Sequence, residues 1–170
     1  MKGFGFFLAL AGVTILTTMY ASRVHASSND KSEITAVEQR VIEGFRAKDV
    51  DKIMSGYVAD ESLFVFDVVP PREYVGAKAY RKDWEDLFAQ FPGPTDASMS
   101  ELNVITAGTF GYAHLIVHSV LTDKDGKKTE GNVRTTDVFR KTGGKWLIVH
   151  EHNSIPVDLA TGKADMMAKP

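Results

Sequence analysis

The chain is expected to fold as one α+β domain, with three helices in its N-terminal half packed on one face of a strongly curved antiparallel sheet. Three observations lead there. Apolar residues recur at helical spacing from Ile34 to Phe45 and again from Tyr80 to Phe91. From Ala97 onward the pattern changes to alternating segments separated by Gly108, Asp125-Gly126 and Gly143-Gly144, which are turn signals between antiparallel strands. The 170 residues include no cysteine, so the fold rests on packing, and disulfides, thiol chemistry and zinc–thiolate sites are excluded.

The first 26 residues read as a signal peptide. Met1-Lys2 is a short basic start, Phe4–Met19 is apolar apart from threonines, and Val24-His25-Ala26 offers small residues at the positions a signal peptidase reads. The alternative is an uncleaved anchor, because the apolar run is nearly long enough to span a bilayer. A cleaved signal places the protein in the periplasm or outside the cell, with no membrane attachment afterwards. The formal net charge is −2, and removing a segment that holds Lys2, Arg23 and no acid leaves the remainder more acidic. Nothing in that balance attracts nucleic acid or an acidic membrane surface.

Residues 27–31 form a polar lead-in, and 32–157 carry the domain. Ser32 is a plausible N-cap for a helix whose apolar positions are Ile34, Val37, Val41 and Phe45, with Glu38, Arg40, Glu43 and Arg46 elsewhere on the wheel. Asp49 caps a shorter helix running to Tyr57. Leu63–Val69 is a strand by composition, stopped by Pro70-Pro71, and Asp67 is its anomaly: a carboxylate among hydrophobes, sharing a face with Leu63 and Val65. Gly76 precedes the third helix, which Pro92-Gly93-Pro94 ends. Strands follow at Ala97–Ala107, Phe110–Thr122, Thr129–Lys141 and Lys145–Ile155, and residues 158–170 form a polar tail with a turn at Thr161-Gly162.

The last strand is the most informative. It opens as Lys-Trp-Leu-Ile-Val and continues as His150-Glu151-His152-Asn153-Ser154. Strict alternation sends Trp146, Ile148, His150 and His152 to one face and Leu147, Val149, Glu151 and Asn153 to the other. Each face begins apolar and ends polar, as suits a strand that leaves a core and lines the mouth of a cavity.

The helical Val41–Asp49 segment, Phe66-Asp67-Val68-Val69-Pro70-Pro71 leading to Gly76, Asp83-Trp84-Glu85, Arg134–Arg140 and Trp146…Ser154 running into Pro156 together resemble the nuclear-transport-factor-2-like (NTF2-like) superfamily. The resemblance is to its SnoaL-like, ketosteroid-isomerase-related branch. It implies a cone, or cystatin-like α+β barrel, closed at one end by core and open at the other. It fixes function poorly, because the superfamily holds isomerases, dehydratases, cyclases, hydrolases, non-catalytic binders and oligomerisation hubs.

Counted back from Gly76, Asp67 falls where ketosteroid isomerases place a proton-shuttling aspartate, and Tyr57 resembles a pocket tyrosine of that family with two extra residues of spacing. A carboxylate in apolar surroundings suits a general base working near neutrality; the alternative is a carboxylate that accepts hydrogen bonds at a strand end. The family's oxyanion donors do not carry over: Val41 stands where its catalytic tyrosine aligns, and the strand near Val133 has no clear counterpart of its protonated aspartate. That argues against steroid isomerisation. Asp137, Glu151 and Asn153 match positions that the hub domain of calmodulin-dependent kinases places inside its cavity. There the hub uses arginines to hold carboxylates, so an anionic ligand held the same way does not fit here. These groups either bind a ligand or form a buried salt-bridge network with Arg134 as partner.

His114 and His118 share one strand face, as do His150 and His152, but no carboxylate clusters with either pair, so no metal site is expected. His152 with Ser154 is a candidate rim contact. Tyr80 and Trp84 belong to an aromatic stripe that is mostly core, yet their polar atoms could face a ligand. The expected activity is binding of a small, mostly apolar organic molecule, with acid–base chemistry at Asp67 and no cofactor. The competing expectation is a non-catalytic binding or hub-like domain. A homodimer is expected through the outer sheet face, which alternation furnishes with Trp146, Ile148, Tyr112 and Ile116.

Overall fold

The structure is a computed structural model and describes residues 28–169. The expected signal peptide and its cleavage point lie outside the described residues. Helix α1 spans Ser28–Ala47 and α2 spans Val50–Met54; α3 spans Ala77–Gln90. The strands are β1 (Phe64–Phe66), β2 (Tyr74–Val75), β3 (Asp96–Ala107), β4 (Phe110–Thr122), β5 (Lys128–Thr142), β6 (Lys145–Ser154), β7 (Val157–Asp158) and β8 (Lys163–Ala164). Six of them form a curved sheet in the order β2-β1-β6-β5-β4-β3, with β7 and β8 as a separate hairpin. The expectation of an all-antiparallel sheet is corrected at one seam. Phe64–Phe66 runs parallel to His150–His152, a pairing between strands separated by β2, α3 and three further strands and so not constrained by a hairpin to be antiparallel.

The expected lead-in is helical from Ser28, which makes Ser32 an interior helix residue instead of an N-cap. The early start is tied down by Asp30, whose carboxylate accepts from Lys141 Nζ at 2.7 Å and from Trp146 Nε1 at 3.1 Å. The buried stripe of α1 is Ile34, Val37, Glu38, Ile42 and Phe45, so Glu38 faces inward where the sequence suggested an outward position. Lys48 ends the helix in the left-handed region at φ 52°, and its ammonium reaches the Phe91 carbonyl at 2.6 Å, fastening α1 to the end of α3. Asp49 caps α2 by accepting from Lys52 N at 2.9 Å, but the helix stops at Met54, short of Tyr57. Gly56 and Val58 instead bond β6, with Ile148 N to Gly56 O and Val58 N to Ile148 O both at 2.9 Å.

The strand expected over Leu63–Val69 is reduced to three residues. Past Phe66 the Val68 N–H turns back to the Asp67 carboxylate at 2.5 Å instead of joining a ladder, and the chain crosses Pro70-Pro71 before β2 pairs antiparallel with β1. The long strands β4 and β5 match the expected spans to within a residue at each end. Residues Ala113, Leu115, Val117, Ser119 and Leu121 face the helices from β4, as alternation requires. On β5 the inward set is Gly131, Val133, Thr135, Asp137 and Phe139.

Alternation fails in β3, where the register shifts between Ser100 and Asn103, and again in β6. The β5–β6 register shifts between Val138, opposite His150, and Phe139, opposite Ile148, so Val149 is an extra residue in β6. Trp146 and Ile148 are fully buried and so is Glu151. They share the inner face with Asn153, whereas His150 and His152 turn outward. The expectation that Trp146 and Ile148 lie on the outer face is therefore corrected; they are core.

The core lies between α1, α2 and the inner face of β5 and β6, around Ile34, Ile53, Leu63, Phe139 and Ile148, all at zero exposure. Helix α1 meets α2 at Gly44, where an added Cβ would lie 2.7 Å from Ile53 Cγ1 and 2.9 Å from Ile53 N. The second of these is backbone and cannot swing aside. Gly44→Ala is expected to separate the two helices and cost about 1–3 kcal/mol despite alanine's better helix propensity. Chemical denaturation should show this as a lower midpoint at unchanged m-value.

Candidate functional site

The helices do not fill the cone. Between α1, α3, the β1–β2 connection and the inner faces of β4 to β6 lies a cavity of about 1430 Å³. Its walls are largely apolar, with Val41, Phe45, Val69, Leu87, Val117 and Val133 among them. Its floor carries acids from four different elements: Glu38 of α1, Asp67 after β1, Asp137 of β5 and Glu151 of β6.

Glu151 is the hub of this floor. Tyr57 donates to its Oε2 at 2.5 Å, while Tyr80 donates to Oε1 at 2.5 Å and Asn153 Nδ2 to the same oxygen at 2.6 Å. Asn153 is itself oriented by Thr135 Oγ1, which donates to its carbonyl at 2.7 Å. The hydroxyls of Tyr57 and Tyr80 are held well above the usual phenol range, by burial first and by the Glu151 charge second. Both phenols therefore remain donors. Their rings meet edge to face with centroids 5.4 Å apart, and the aromatic series continues through Tyr80–Trp84 at 5.7 Å to Phe45 and Phe88.

Asp137 is almost wholly buried and lies within hydrogen-bonding reach of both Glu38 and Glu151. Burial, then the Glu38 charge, then the Glu151 charge push its carboxyl well above the carboxylate range. Burial likewise raises Glu38 to about 7, against a lowering hydrogen bond from Asp137. Two carboxyl groups that face each other in this way bond only when one holds a proton. Asp67 is partly accessible through the cavity; burial and then the Glu151 charge raise it to about 7, while the Val68 N–H bond acts the other way. The floor therefore stores protons near neutrality.

The structure gathers Tyr57, Asp67, Trp84, Asp137, Glu151 and Asn153 around this cavity, and Tyr80 reaches the floor through Glu151. Two expected site residues are elsewhere. Arg134 is exposed, with an outward register opposite Ile116 and Ser154, so it cannot neutralise the acids and no buried salt bridge forms with it. His152 is exposed on the outer face, its ring 5.5 Å from that of Phe66, because the Val149 bulge reverses the parity of the strand end. Glu38 escaped the sequence reading. Its signal was its place four residues after Ile34 and four before Ile42, on the buried stripe itself.

A curved sheet wrapped on three helices, with a polar floor deep in the cone, defines the NTF2-like class. An NTF2-like protein of unknown function from Pseudomonas putida KT2440 has this fold, with a TM-score of 0.76 and 30% identity over 85% of this chain and 99% of that one. An NTF2-like superfamily protein from Salmonella enterica gives a TM-score of 0.72 at 18% identity, covering 82% of this chain and 99% of that one. A ketosteroid isomerase-like protein from Erwinia carotovora shares the fold at a TM-score of 0.64 and 17% identity, over 75% of this chain and 97% of that one. Within that class the chain belongs to the SnoaL-like domain family, which it matches over residues 34–158. No curated protein matches the chain.

The acid floor sets the pH dependence of stability. An acid whose folded pKa lies above its unfolded value binds more protons folded than unfolded, so stability falls as pH rises between the two values. For Glu38 that window runs from its ordinary 4.5 to about 7, a loss of about 3 kcal/mol across it. The melting temperature is expected to be higher near pH 5 than near pH 8. Glu38→Gln should flatten that slope, and Asp137→Asn should flatten it further while raising the melting temperature at the alkaline end.

Proposed function

We propose that the protein binds a small, mostly apolar organic molecule in the cone and acts on it by acid–base chemistry, with Asp67 as the proton shuttle. The observation that carries this reading is the position of Asp67: on the cavity, beside apolar Val68 and Val69, with its carboxyl raised to about 7. A group so poised is close to half-charged at neutral pH, which maximises its usefulness as both acceptor and donor of a proton. Val41 and Val133 line the cavity without donors. Trp84, whose Nε1 has no hydrogen-bond partner among the described residues, lines the cavity and is the donor we assign to developing negative charge on a substrate oxygen. This favours a modest proton transfer or dehydration over chemistry that needs a strong oxyanion hole. Asp67→Asn should fold normally and lower turnover of a true substrate by 10²-fold or more, on the order expected for loss of a general base. Unchanged turnover in that variant would remove Asp67 from the mechanism.

The signal-peptide reading of residues 1–26 supports action outside the cytoplasm. The outer sheet face favours pairing with a second copy: Ile105, Tyr112, Val138, His150 and Phe64 lie in one cross-strand row, with Ile105 and Tyr112 exposed. Light scattering should give twice the mass of one chain, and a Tyr112→Glu, Ile105→Lys double variant should give a single chain's mass with its circular dichroism retained.

A further inference from the structure

The floor of the cavity gathers four acids, and among the described residues no lysine or arginine forms an ion pair with any of them. Glu38 comes from α1, Asp67 from the β1–β2 connection, Asp137 from β5 and Glu151 from β6. The titratable groups facing them from the remaining elements are Tyr57 after α2, Tyr74 on β2, and Tyr80 and Asp83 on α3, none of which supplies a cation. Lys78, Arg81 and Lys82 of α3 reach the cavity margin, but Arg81 pairs with Asp51 at 2.7 Å and Lys82 with Asp86 at 2.8 Å.

Glu151 is saturated by its three donors. Glu38 and Asp137 are not. Glu38 Oε1 and Asp137 Oδ1 are enclosed, belong to side chains more than nine-tenths buried, and receive no hydrogen bond from any other described residue, so the proton that the two acids can share is all that bridges them. Two buried carboxyl oxygens with no donor beyond a shared proton at the foot of an apolar cavity carry a large desolvation penalty, which a matching cation relieves. The cavity walls set the rest of that partner's character: aliphatic and aromatic surface, with a ring series from Tyr80 to Phe88 along one side.

We propose that the physiological ligand is a compact apolar molecule bearing one protonated amine, whose ammonium group docks between Glu38 and Asp137. The inference rests on the cone being a ligand pocket and deepens that reading by naming the ligand class. An ammonium offers three donors to the two orphaned oxygens and a neighbouring acid, whereas an alcohol offers one and a carboxylate is repelled. Docking displaces the proton that the two acids share, so binding releases a proton and tightens as pH rises.

Isothermal titration of the purified protein with naphthylmethylammonium, naphthylmethanol and naphthoate tests this. The ammonium compound is expected to bind at least about tenfold more tightly than the alcohol, with naphthoate weakest. Its affinity should increase between about pH 6 and 8, and its apparent enthalpy should vary with the ionisation enthalpy of the buffer. In a Glu38→Gln, Asp137→Asn double variant the ammonium advantage should vanish while naphthylmethanol still binds, which shows the pocket intact. If the alcohol or the carboxylate binds the native protein as tightly as the ammonium compound, the amine inference is overturned and the pocket reading stands. If none of the three binds, both are overturned.

Discussion

The arrangement of this protein depends on one extra residue in its last long strand. Without Val149 as a bulge, the strand that puts Trp146 and Ile148 into the core would put His150 and His152 there too, and Glu151 would face solvent. With it, the apolar start and the acidic end of β6 point the same way. The core and the cavity floor are then one continuous surface. Glu151 gains Tyr57, just after α2, and Tyr80 of α3 as partners, both distant from it in the chain. Those hydrogen bonds tie the segment after α2 and the middle of α3 to the sheet, so the bulge bears on the helical layer as well.

The cost of this design is concentrated in three carboxyl groups held at close quarters in a low-dielectric region. Surfaces meet such costs with water and interiors usually meet them with arginine or lysine. Here the response is protonation and tyrosine hydroxyls. A site of that kind is polar without supplying a fixed positive charge of its own, which sets it apart from cavities in which arginine grips an anion. It also makes the cavity and the protein's acid–base balance a single system, since any group that enters the floor changes which oxygens carry protons.

Much of this was legible in the sequence. Helical periodicity, turn dipeptides and strand alternation gave the element order, and Asp67 stood out as an acid among hydrophobes. Asp137, Glu151 and Asn153 were recognisable by their places on β5 and β6. What was not legible has a common cause. A bulge leaves no mark in a run such as Leu-Ile-Val-His-Glu, because each residue is compatible with either face, so the fate of Trp146, His152 and Glu151 depended on a register that local pattern cannot specify. Glu38 was obscured for a related reason: a lone carboxylate on an apolar stripe is unfavourable until the acids opposite it are known. Arg134 looked like a partner because it is three residues from Asp137, and three residues along a strand is an odd number, hence the opposite face.

The return of the C-terminal segment supplies one edge of the cone from outside the main sheet. The β7–β8 hairpin brings Met166 back to the sheet, where its carbonyl accepts from Asn132 N at 2.7 Å and its side chain lies over Gly131, so close that a Cβ there would be 2.7 Å from the methionine methyl group. Met166 is thus part of the cavity wall, and it is the most pliable kind of wall, an unbranched thioether on a short appended hairpin. Changes in the length or composition of that appendage would reshape the chamber without disturbing the strands beneath. Relatives with the same framework could in this way come to hold guests of different girth.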